Sequence, residues 1–212
     1  MPTTLILQPT GQVLTVPTSW VDVTLAQYLA LHAPAEGEAR TAAELLLGLE
    51  VGGLDELHID EVQYFANLLA FAADPSPVLE LLPTPGLPAV GSQPYGCLVD
   101  VQQRLTEDPD RPWLAHGPYL LALYRVQLTY GRYDASKVAA CEAALLAAPV
   151  TECYGDMAHF IGAWQNWLTA TPQTQPTTVS PTMPSLTPTP NRHWLSALGL
   201  CWPWTRQQGA PS

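Results

Sequence analysis

Apolar and polar positions change period once along this chain. Leu5-Ile6-Leu7 and Val13-Leu14-Thr15-Val16 are short β-prone runs. They flank Gln8-Pro9-Thr10-Gly11-Gln12, whose proline and glycine supply a turn. The pattern predicts a β-hairpin over 3–16, and two strands alone are marginal, so the hairpin must pack on something. From Val21 onward the apolar spacing is helical. Thr24 with Gln27 fits a capping box, followed by Leu25, Tyr28, Leu29 and Leu31 on one broad face. Thr41 with Glu44 repeats the signature ahead of Leu45-Leu46-Leu47, and Gly52-Gly53 is the expected stop. Asp60 is the expected cap of a helix carrying Val62, Phe65, Leu68, Leu69 and Phe71 that ends near Asp74-Pro75. A short turn over Val78–Leu82 follows.

Residues 83–96, PTPGLPAVGSQPYG, break the pattern and are read as a loop inside one body. Leu98–Leu105 is a short helix. Pro118–Thr129 is a stronger one, with Pro118 placed for a first turn and Gly131 at its end. Asp134 caps Ala135–Ala148, with Val138, Cys141, Leu145 and Leu146 inward, and Pro149 stops it. Glu152–Ala170 is the last body helix, with Met157, Phe160, Ile161, Trp164 and Leu168 at helical spacing. The expected fold is therefore mainly α: a hairpin in residues 1–20, then a bundle of about six helices over 21–170. No internal repeat is evident.

The pattern fails altogether at Thr171–Pro190, TPQTQPTTVSPTMPSLTPTP. Seven threonines and six prolines in twenty residues carry no charge and little apolar bulk. Proline supplies no N–H and restricts the residue before it. The stretch reads as a disordered, extended linker. Beyond it, residues 191–212 hold three of the seven tryptophans. Trp194, Leu195, Leu198 and Cys201 or Trp202 fall on one helix face about two turns long, ended by Pro203 and followed by Trp204. A helix this short gains its order from a groove. Trp194, Leu195, Leu198, Trp202 and Trp204 are thus the candidate partner-binding residues, together with Trp167; the groove belongs to another protein or to the acidic body of the same chain, the alternative being an inert terminus. Phe160 and Trp164, on the same helix as Trp167, read as core.

Charge sharpens this division. All nineteen acids lie within residues 1–170, beside Lys137 and five arginines, for a net −13. The tail carries Arg192 and Arg206 and no acid, for +2. An acidic body offers no basic stripe for phosphates, so nucleic acid is not the expected partner. No apolar run approaches the ~20 residues of a membrane span. Cys97, Cys141, Cys153 and Cys201 show no CxxC spacing, and the N-terminus has no basic or apolar leader region. Free thiols in a cytoplasmic setting are expected.

The constellations that could carry chemistry are weak. His58-Ile59-Asp60 is an HxD string that could ligate a metal, but Asp60 is already taken as a helix cap. Cys153 and His159 stand six apart, about 120° around a helix, rather than on one face. Glu107-Asp108-Pro109-Asp110 lacks calcium-loop spacing and reads as a solvated turn, with Arg111-Pro112-Trp113 anchoring it. There is no P-loop, GxGxxG or GxSxG. The reading is a non-enzyme without cofactor or metal.

Val16 to Leu29, VPTSWVDVTLAQYL, resembles the start of small tail-morphogenesis proteins of bacteriophages, of the kind found in phages of Bacteroidetes-like hosts. There a hairpin leads through a PxSWxDVTLxQY motif into a helical body. Gly131-Arg132-Tyr133-Asp134 and Pro149–Met157 look like helix-joining turns of that group. The resemblance covers residues 1–170 and leaves out the Thr/Pro stretch and the tail. It implies a non-enzymatic role in the host cytoplasm, assembling a tail with a tape-measure or tail-tube component as partner. The protein would be an assembly chaperone or, alternatively, a connector or adaptor retained in the virion.

Overall fold

The computed structural model describes residues 2–6, 13–33 and 40–170. Within them the fold is mainly α, with an N-terminal two-stranded sheet. β1 (Thr3–Ile6) pairs antiparallel with β2 (Val13–Val16) in the register Thr3 to Val16 and Ile6 to Val13. Leu14 and Val16 face the core, and Val16 is fully buried. The turn residues 7–12, the linker and the tail lie outside the described residues.

A 3-10 turn, Trp20–Asp22, leads from the hairpin into the helices. The Asp22 carboxylate accepts from the Thr18 amide and hydroxyl at 3.1 and 3.0 Å and from the Ser19 hydroxyl at 3.3 Å. Those bonds fold the Pro-Thr-Ser-Trp segment back on itself. Trp20 is thereby driven inward, where its indole N–H donates to the Asp74 carbonyl at 2.8 Å. Its ring meets Tyr28 and Phe71 edge-on, at 5.7 and 5.3 Å between centroids.

Eight α-helices follow among the described residues, six of them eight residues or longer. α1 (Leu25–His32) and α2 (Ala42–Leu47) both begin with the expected capping boxes, Thr24 with Gln27 and Thr41 with Glu44. α2 stops earlier than the Gly52-Gly53 pair. Gly48, in the left-handed region at φ +70°, terminates it, and the Leu49 amide closes the turn on the Glu44 carbonyl at 2.8 Å. α3 (Ile59–Leu68) continues as a 3-10 stretch to Ala73. Its cap position is His58, not Asp60. Glu61, three residues on, accepts from the His58 amide at 2.9 Å, which sets the start two residues ahead of the expected cap. α4 (Ser76–Leu79) replaces the turn expected over Val78–Leu82.

α5 runs Tyr95–Glu107, longer than the Leu98–Leu105 expected, because Pro94 permits a start just after it. α6 spans Trp113–Tyr130, so Pro118 lies in the helix interior instead of the first turn. An interior proline removes one backbone hydrogen bond and typically costs ~3 kcal/mol. Burial offsets that cost: from His116 to Val126 only Tyr119 and Arg125 are less than buried, so the helix is enclosed almost all round. Gly131, at φ +66°, ends it as expected. α7 (Ala135–Ala147) is capped by Asp134, whose carboxylate accepts from the Ser136 amide at 3.1 Å. α8 (Val150–Ala170) begins at once after Pro149, two residues before the expected start.

α6 packs against both α7 and α8, and α8 also receives α1 and α4. The loop of residues 83–94 is bound to this unit. Thr84 donates its amide to Asp156 at 2.7 Å, and the Tyr124 hydroxyl donates to the Pro88 carbonyl. α8 admits the chain at Leu82 only because residue 155 is glycine. A Cβ there would stand 2.5 Å from the Leu82 carbonyl oxygen and 2.9 Å from its carbon. Gly162, on the same helix, meets nothing within 4 Å.

This contrast gives a paired test by denaturant unfolding. Gly155→Ala is expected to lower stability by about 1–3 kcal/mol, since overpacking against backbone outweighs the helix-propensity gain. Gly162→Ala is expected to raise it by up to about 1 kcal/mol.

Candidate functional site

The residues with catalytic potential are taken up by the fold. Cys153 on α8 is 1 % exposed, and burial pushes its thiol above the ordinary range. His159 on the same helix is exposed, so the two occupy different environments. Asp156, between them in sequence, clasps Thr84 through both amide and hydroxyl and lies 4.0 Å from the Arg125 guanidinium. His58 and Asp60 are both exposed at the start of α3. Glu107, Asp108 and Asp110 are exposed at the α5–α6 turn. Among the described residues no group of three or more metal-ligating side chains converges.

Glu44 is a buried carboxylate that the capping signature locates but whose burial it does not announce. It is 3 % exposed and accepts from the Thr41 amide at 2.7 Å and the Thr41 hydroxyl at 2.9 Å. Burial alone would raise its pKa. The bonds from Thr41 and the backbone amides of Leu54 and Gly52 outweigh that and hold it below its usual value.

A polar seam between α5 and α6 also escapes the sequence. The Tyr133 hydroxyl donates to the Asp100 carboxylate, and the Arg104 guanidinium lies over the Tyr119 ring at 5.1 Å from its centroid. Cys97 is buried beside them, its thiol pushed up to about 12 by burial and by the Asp100 charge. His116 is 2 % exposed, and its Nδ1 has no hydrogen-bond partner among the described residues. The available signal was the i, i+4 pair Asp100 and Arg104, which the expected helix Leu98–Leu105 already places on one face, but the tyrosines that meet them lie far off in sequence.

The tryptophans divide cleanly. Trp164 is 3 % exposed, and Trp167 sits half-buried at the rim of the core, edge-on to Trp164 at 5.5 Å between centroids. Trp194, Leu195, Leu198, Trp202 and Trp204 lie outside the described residues. On the body, large apolar side chains stand well exposed at Leu82 (87 %), Tyr95 (80 %), Ile59 (64 %) and the cross-strand pair Ile6 and Val13 (63 and 60 %). No helix among the described residues is long and apolar enough to cross a membrane.

Comparison with protein-family models, with curated proteins and with solved structures finds no match.

The His116 environment makes a pH prediction. Burial first, then the Arg111 and Arg104 charges, lower its pKa from the ordinary 6.5, against an opposing pull from Asp108. The unfolded chain therefore binds the proton more readily than the folded one. Stability is fully present above pH 6.5 and falls as pH drops below it toward the lowered folded value. Denaturant midpoints measured from neutral to mildly acidic pH are expected to show this slope, and His116→Leu to lessen it, leaving the part due to His32, whose pKa burial also lowers.

Proposed function

We propose that this chain is a non-enzymatic protein-binding factor in the assembly of a phage or phage-like tail. It would hold a helical partner of the tape-measure or tail-tube kind. The observation that carries this reading is the split of the molecule into two complementary parts. One is an acidic helical body with exposed apolar side chains. The other is an acid-free segment with Trp194, Trp202, Trp204, Arg192 and Arg206. Aromatic and arginine side chains dominate the energetics of protein–protein contacts.

The motif behind the phage resemblance supports a shared framework rather than a site. Its Trp20, Val23, Leu25 and Tyr28 are buried, and its Asp22, Thr24 and Gln27 are engaged in turn and cap bonds. An assembly chaperone of this form keeps the apolar helices of a longer protein from aggregating until the tail is built.

The test is capture from native lysate by the immobilised full chain, with mass spectrometry of what is retained. A helix-rich tail component is expected, and the variant Trp194→Ala/Leu198→Ala/Trp202→Ala is expected to retain at least tenfold less of it. Equal retention by the variant removes the tail from the binding account, and retention of no tail component overturns the assembly reading. Purified particles separate the two roles: a chaperone is absent from them, whereas a connector or adaptor remains.

A further inference from the structure

α5 has one face committed to the core and one open. Cys97 and Val101 are buried, while Tyr95 is 80 % and Val99 40 % exposed. Gln102, Gln103, Thr106 and Glu107 continue the exposed face toward the C-terminal end of the helix. Val99, Gln102, Gln103, Thr106 and Glu107 line a shallow hollow of about 420 Å³. The cation of this helix does not reach that face, because the Arg104 guanidinium is folded over Tyr119. Glu107, Asp108 and Asp110 are exposed where α5 ends.

The path of the chain brings a particular segment to this place. Trp167, in the last turn of α8, has its indole nitrogen 4.0 Å from where a Cβ on Gly91 would stand. Gly91 belongs to the 3-10 turn Val90–Ser92, which passes through Gln93 and Pro94 directly into α5. The chain therefore leaves α8 close to the start of the open face. Twenty residues separate Ala170 from Asn191, and such a spacer reaches at most ~70 Å. Reach is thus no obstacle.

We propose that the outer face of α5 is the docking groove for the chain's own residues 191–206. The proposal rests on the reading of that segment as a docking peptide. Its apolar positions, Trp194, Leu195, Leu198 and Trp202, repeat at helical spacing, and the two turns from Trp194 to Trp202 need only ~12 Å of the ~20 Å that α5 offers. Its charge is complementary: laid along α5 from the end where the chain leaves α8, the acid-free segment brings Arg206 toward the carboxylates of Glu107, Asp108 and Asp110. Another copy of the acidic body has no such complement to offer. Docked in this way, the segment covers Tyr95 and Val99 and withdraws its own tryptophans from partners. The acidic turn after α5 then serves as the electrostatic anchor of that contact.

The native Cys201 provides the test in the full chain. Cys97 and Cys153 are buried, and Cys141, half-buried, is replaced by serine in every variant. A cysteine is introduced by Gln102→Cys in the hollow or, as a control, by Gln63→Cys on the exposed face of α3. Both sites are exposed, and circular dichroism confirms the fold. Under mild oxidation the Gln102→Cys variant is expected to form an intramolecular disulfide with Cys201 at least tenfold faster than the control. That lead is expected to disappear with Trp194→Ala/Trp202→Ala and to shrink in high salt. Equal rates at the two sites, disulfides only between chains, or a lead indifferent to the tryptophans would overturn the proposal. No partner protein enters the experiment, so its outcome is independent of the capture from lysate.

Discussion

α1 and α8 begin at the same point in space, and the body depends on how their first turns are completed. A helix leaves its first amides without internal acceptors. Here the residues leading into each helix supply what the other lacks. The Leu25 amide, first in α1, donates to the Ala148 carbonyl at 2.9 Å, and the Val150 amide, first in α8, donates to the Val23 carbonyl at 2.8 Å. Thr24 and Pro149 face one another across this two-bond bridge. Pro149 has no N–H, and the bridge needs none from it, because both bonds run through its neighbours. Val23, Leu25 and Val150 are fully buried around it. Water cannot satisfy these groups, and losing the bridge would leave two buried amides unpaired, each costing ~1–3 kcal/mol.

The rest of the architecture is arranged along α8 from that point. Tyr28 on α1 meets Tyr154 edge-on at 5.3 Å. One residue further, Gly155 lets the chain at Leu82 lie against the helix, and Asp156 fastens Thr84. Met157, Phe160 and Ile161 then fill the space toward α6 and the core. The segment that carries Cys153, Asp156 and His159 is thus a packing spine. Cys153 fills volume, Asp156 ties a loop, and His159 faces solvent.

What was legible follows from the range of each interaction. The capping boxes of Thr24 and Thr41, the Asp134 cap and the Gly131 stop act within four residues, so their residue types are a sufficient record. Gly48 and Gly52 both adopt positive φ, at 70° and 76°, so a helix stop could be assigned to either. Only the closing bond from Leu49 decides for Gly48. Pro118 was misplaced because its local meaning, a helix start, is overridden by burial on all sides of α6. The α5–α6 seam depends on Tyr119 and Tyr133 meeting Asp100 and Arg104 across the fold, which no local pattern encodes. Of the candidate binding residues, Trp167 is at the rim of the core, and the rest belong to residues 191–204, where composition and charge are the only guide.

Self-docking would alter the meaning of partner affinity. A segment tethered by a spacer of this length sits at an effective concentration of order 1 mM near its groove. A contact with a dissociation constant of ~100 μM would then be closed about nine-tenths of the time. A partner that needs the free tryptophans would bind about tenfold more weakly than to the isolated segment. Such weakening is useful in assembly, where an exposed aromatic peptide invites non-specific association. A partner offering both an apolar groove for the tail and basic groups for the carboxylates of Glu107, Asp108 and Asp110 would open the contact from both sides. Proteins offering only one would gain less. Charge segregation between body and tail would therefore govern partner choice as well as solubility.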